Sequence, residues 1–71
     1  MQPNERIVNR IKELYPEGCL VELDKMDDEH APPIGTQGTV VYVDSMGTID
    51  VEWDNGSSLS VAFGKDQCHK V

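Results

Sequence analysis

Aromatic side chains are scarce in this chain: Tyr15, Tyr42, Trp53 and Phe63 are all it has in 71 residues. Proline-peptide grooves and methyl-ammonium cages are built from several closely packed tyrosines and tryptophans, so neither is expected. Basic residues are scarce as well. Six Lys and Arg stand against thirteen Asp and Glu, for a net charge of -7. The imbalance is local: residues 1–18 pair three bases with three acids, whereas residues 19–64 hold nine acids against Lys25 alone. A field of that sign repels a phosphate backbone, which argues against direct DNA or RNA binding and favours a protein partner with a basic surface.

No apolar run approaches the ~20 residues of a membrane span, and the opening MQPNERIVNR has no apolar leader region. No membrane partner is expected, and the location that follows is cytoplasmic. In such a reducing compartment the two cysteines, Cys19 and Cys68, read as free buried thiols at the two ends of a sheet.

Chemistry-bearing constellations are thin. Ser57, Ser58 and Ser60 have no histidine nearby in sequence, and no nucleophile-plus-base pattern is present, so an enzyme is not expected. Asp24, Asp27, Asp28, Glu29 and His30 crowd one loop but lack the spacing of a dedicated calcium loop. Cys19, His30, Cys68 and His69 give four zinc-type ligands without a C-x-x-C or H-x-x-x-H pair, and consecutive Cys68 and His69 should point to opposite faces. No metal and no cofactor is expected from either set.

What the chain does have is alternation. In GTQGTVVYVDSMGTIDVEWDNGS, apolar Ile49, Val51 and Trp53 alternate with Asp50 and Glu52, and Val41 and Val43 alternate with Val40, Tyr42 and Asp44. That period of two reads as a hairpin with one dry and one wet face, and it places Trp53 in the core. Asp54-Asn55-Gly56 supplies a second tight turn. Strands are expected at 19–23, 35–44, 48–53, 57–61 and 67–71, with Gly35 and Gly38 marking a bend or bulge and a single turn at 63–66. Ahead of them, residues 4–15 read as a helix capped by Asn4 and stopped by Pro16, with Ile7, Ile11, Leu14 and Tyr15 as its apolar stripe. The layout is mostly β, a five-stranded SH3-like barrel (18–71) preceded by a short α-helical extension (1–17). Met26 and Ala31-Pro32-Pro33 should pin the long early loop against it.

The segment MDDEHAPPIGTQGTVVYVDSMGTIDVEWDNGSSLSV also resembles the motif of a small bacterial and bacteriophage domain-of-unknown-function family. That motif runs M-x-D-x-x-A-P-P, then G-x-x-G-T-V, then G-T-I-x-V-x-W-D-N-G-S. The resemblance spans Gly18 to about Asp66 and implies an SH3-like barrel. It brings no catalytic residues.

Two functional readings follow. The first is a non-enzymatic protein-interaction module whose surface is built from the 24–34 loop, the 45–47 turn and the 54–56 turn, with Met26, Asp27, Asp28, Glu29, His30, Met46, Asp54 and Asn55 as contacts and Met46 as an apolar centre. The second is a phage-type inhibitor whose carboxylates imitate nucleic acid in a host protein's phosphate channel. An RNA-binding barrel of the KOW type gains from the G-T-V strand and loses on charge.

Overall fold

The computed structural model describes residues 4–71. The chain enters through α1 (Glu5–Leu14). Asn4 caps it, its Oδ1 accepting the Ile7 N–H at 2.9 Å, and the Tyr15 N–H closes it on the Ile11 carbonyl at 2.9 Å. These bonds satisfy backbone groups that a helix end otherwise leaves open. Val8 is the buried residue of the helix, with Ile11 and Tyr15 half-buried beside it on the core. Half of the expected stripe, Ile11 and Tyr15, thus faces the core, whereas Ile7 and Leu14 are 39% and 44% exposed and Val8 takes their place. Val8, Ile11 and Tyr15 fall within about 60° of one another around the helix, with Ile7 and Leu14 together just to one side, and the first arc is the one that meets the core.

Four strands follow: β1 (Leu20–Lys25), β2 (Gln37–Val43), β3 (Ile49–Trp53) and β4 (Gln67–Lys70). They form one antiparallel sheet in the order β3-β2-β1-β4, so the last strand lies beside the first. One face carries the core of Val21, Leu23, Val40, Val43, Ile49, Val51, Trp53 and Val61, while Glu22, Thr39 and Glu52 point the other way, as the period of two requires.

The fifth expected strand, 57–61, does not form as such. Its one ladder link is an isolated bridge between Ile49 and Val61. The reason lies in Trp53, whose indole Nε1 donates to the Leu59 carbonyl at 2.7 Å. That carbonyl is thus taken by a side chain rather than by the β3 backbone, and the Leu59 N–H turns to Ser57 Oγ at 3.4 Å. A buried indole N–H needs a partner, and satisfying it replaces a ladder bond.

The bulges also fall elsewhere than expected. In the β2–β3 ladder the register shifts between Val40 and Tyr42, and in β1–β4 between Leu23 and Lys25. Gly38 instead sits in a regular pair opposite Trp53. Gly35 does mark a turn, with φ +93°. The two thiols are free and half-buried, and the register sets Cys68 beside Leu23 rather than beside Cys19.

Candidate functional site

Two surfaces carry concentrated charge. The first is the end of the sheet where β1 stops and β2 begins. The loop between them is tied down by Gly35 N–H to the Leu23 carbonyl at 2.8 Å and Thr36 N–H to the Pro33 carbonyl at 3.0 Å, and Pro32 is buried beneath it. Asp28 Oδ1 accepts the His30 N–H at 2.8 Å, closing a small turn. The 54–56 turn is joined to the same end by Asp54 N–H to the Gln37 carbonyl at 2.9 Å. Asp27, Asp28, Glu29, His30, Asp54 and Asn55 are all exposed there.

The expected three-part surface is not contiguous. β2 and β3 are antiparallel, so the 45–47 turn lies at the opposite end of the hairpin, roughly 15–20 Å away by strand rise. Met46 is 42% exposed in that turn, where Asp44 Oδ1 accepts the Met46 and Thr48 N–H groups at 2.9 and 3.0 Å. Met26, expected among the contacts, is half-buried and packs against the core. It acts as the loop's anchor, in keeping with the pinning role read from the sequence.

The second charged surface is the outer face of β1 and β4. Glu22 stands directly across from His69. Asp24 falls in the β1 irregularity and reaches the same imidazole, both carboxylate oxygens lying 2.9 Å from His69 Nδ1. On the other side of the ring, Nε2 is 3.6 Å from Glu22 Oε2. The hydrogen bond to Asp24 raises the His69 pKa above its ordinary value, against a smaller opposing effect of desolvation. Among the described residues, Glu22, Asp24 and His69 are the one His/Cys/Asp/Glu group whose ligand atoms converge, all within 4.8 Å of one another. Neither the acidic loop nor the Cys19, His30, Cys68 and His69 set is brought together in that way. Sequence reasoning missed this trio because its members come from strands far apart in the chain, and only the strand register joins them.

Further along the outer face, Ser60 Oγ donates to Asp50 Oδ1, and a hydrogen bond with Asp50 pushes the Tyr42 phenol up from its usual pKa. Among the described residues, the only salt bridge made by a Lys or Arg is Arg10 to Glu13 on α1, at 3.9 Å. Carboxylates of the β part thus have no Lys or Arg partner within salt-bridge distance. A shallow groove of about 430 Å³ runs along α1 between Asn4, Arg6, Ile7, Arg10 and Ile11, but no set of groups suited to chemistry converges on it. No described helix is long and apolar enough to cross a membrane.

No curated protein and no solved structure matches the chain. A family model does, over residues 4–71, so the match takes in α1 as well as the sheet, whereas the motif resemblance began only at Gly18. The protein, a mostly β domain with one short helix and an acidic outer surface, belongs to the family described as a domain of unknown function, DUF4314.

Proposed function

We propose that this domain is a non-enzymatic protein-interaction module of SH3-like barrel build, in a bacterium or the phages and mobile elements it carries, that presents its acidic end to a basic partner surface. The barrel reading is supported by the strand order, with the last strand beside the first, and by the Ile49–Val61 bridge that continues the sheet past β3. The bacterial and phage setting draws on the motif resemblance alone.

One observation carries the binding reading: two separate segments bring Asp27, Asp28, Glu29 and Asp54 to one end of the sheet, exposed and without Lys or Arg partners among the described residues. Holding like charges together without compensation costs folding free energy, and a complementary partner recovers it on docking while steering the encounter. A second reading, a nucleic-acid mimic, is favoured by Asp50 and Glu52, which continue the charge along the outer side of β3. The KOW-type RNA-binding reading is opposed by that same charge.

The test is the dissociation constant for a partner captured from bacterial lysate, measured at low and high salt. The combined change Asp27→Asn, Asp28→Asn and Glu29→Gln is expected to weaken binding about tenfold, most at low salt, with the fold intact. Met46→Ala, at the far end, should leave binding unchanged. A loss confined to Met46→Ala would overturn the acidic-end reading. Competition by duplex DNA for the same partner site would favour the mimic.

A further inference from the structure

The outer face of β1 and β4 holds a donor set that the acidic-end reading leaves unused. Glu22 and His69 are placed opposite each other by the ladder itself. Asp24, two residues on from Glu22 in β1, shares that outer face and falls where the ladder shifts between Leu23 and Lys25. All three side chains are partly exposed, at 33%, 39% and 49% for Glu22, Asp24 and His69, so a small cation can reach them. No Lys or Arg of the described residues lies within salt-bridge distance of either carboxylate.

We propose that Glu22, Asp24 and His69 bind a first-row divalent cation of the zinc class, which clips β4 onto β1 with water completing its coordination. An imidazole with two carboxylates suits such an ion, bound at about 2.0–2.2 Å from each donor. Four-coordinate geometry at that radius separates donors by about 3.4 Å. The donor atoms lie within 4.8 Å of one another, but the two carboxylates flank opposite ring nitrogens, so the ion takes one nitrogen and a rotation of the exposed His69 and Glu22 side chains brings the second carboxylate to it. Calcium is disfavoured, since it takes six to eight oxygen ligands and a nitrogen is central here. The inner face does not contribute: Cys68, next to His69, is paired with Leu23 and points to the core.

Binding needs no other ligand, so the metal alone is the probe. Isothermal titration with Zn²⁺ should give one site per chain, and the melting temperature of the intact chain should rise with added Zn²⁺ and return with EDTA. In ¹H–¹⁵N spectra the shifts should concentrate on the His69 ring and residues 22–24. Affinity should fall at least tenfold in His69→Asn and clearly in Asp24→Asn and Glu22→Gln, with the folds checked by circular dichroism. His30→Asn and Cys68→Ser should bind as the parent does. The proposal is overturned if no Zn²⁺ binds at millimolar concentration, if His69→Asn binds unchanged, if His30→Asn or Cys68→Ser abolishes the site, or if Ca²⁺ binds as tightly as Zn²⁺.

Discussion

Gly38 and Trp53 face each other across the β2–β3 ladder so closely that a Cβ on Gly38 would sit 2.8 Å from Trp53 Cε3 and 2.6 Å from Val51 Cγ1. Backbone conformation is not what requires glycine at this position; the Val51 side chain, the Glu52 carbonyl oxygen 2.8 Å from such a Cβ and the indole packed over it are. Gly38→Ala should therefore cost about 1–3 kcal/mol through overpacking. A chemical-denaturation midpoint equal to that of the parent would show that the β2–β3 pairing gives way there without cost.

Trp53 is 3% exposed, and Trp53→Ala should remove about 3–5 kcal/mol, most of what so small a domain has. Trp53→Phe separates burial from the indole bond: it keeps a ring but leaves the Leu59 carbonyl without its donor, for a loss nearer 1 kcal/mol. Thermal melts of the two variants should rank in that order. An unchanged melt for Trp53→Ala would mean that the ring is not a core element.

Asp44 holds the 45–47 turn with one carboxylate oxygen that serves two N–H groups. Asp44→Ala should cost about 1–2 kcal/mol, while Asp44→Asn, which keeps the acceptor, should be nearly neutral. Equal losses in the two variants would assign the effect to charge.

Burial pushes the Cys68 thiol up to about 11, with the Asp24 and Cys19 charges adding to the shift. Native protein at pH 8 should therefore react with iodoacetamide at Cys68 far more slowly than unfolded protein. The same shift gives a pH dependence. A folded pKa above the ordinary 9.0 means that the unfolded chain loses this proton first, so stability is full below pH 9 and declines as pH rises toward 11. Tyr15, also raised chiefly by burial, contributes in the same direction above its ordinary 10.0. Denaturation midpoints that hold constant from pH 8 to 11 would contradict this.

Val8→Ala should destabilise by about 1–2 kcal/mol, whereas Ile7→Ala and Leu14→Ala should stay within about 0.5 kcal/mol in denaturant melts. The contrast shows how far the sequence could be read. The helix span and its Asn4 cap are local properties and were legible, as was the alternation that buries Ile49, Val51 and Trp53. Which helical arc meets the sheet was not, because a smaller Val8 is buried in place of two larger side chains only through the way α1 packs against β2. Residues 57–61 lost their ladder to one indole N–H, a competition that no period-two pattern encodes. Met46 could have been separated from the acidic loop in advance, since a hairpin always sends its turn to the end opposite the turn that follows it. The Glu22, Asp24 and His69 trio could not be seen without the register between β1 and β4.

That register has a kinetic consequence. Asp24 and His69 are 45 positions apart in the chain, while β2 and β3 are joined by a short turn. Loop-closure entropy makes the local hairpin quick to form and the pairing of the two distant strands slow. β4 is four residues long and has only one neighbour in the sheet. It is thus the strand expected to dock last, and weakening it should quicken unfolding while hardly slowing folding. The lifetime of the native state should then follow the strength of the β1–β4 pairing.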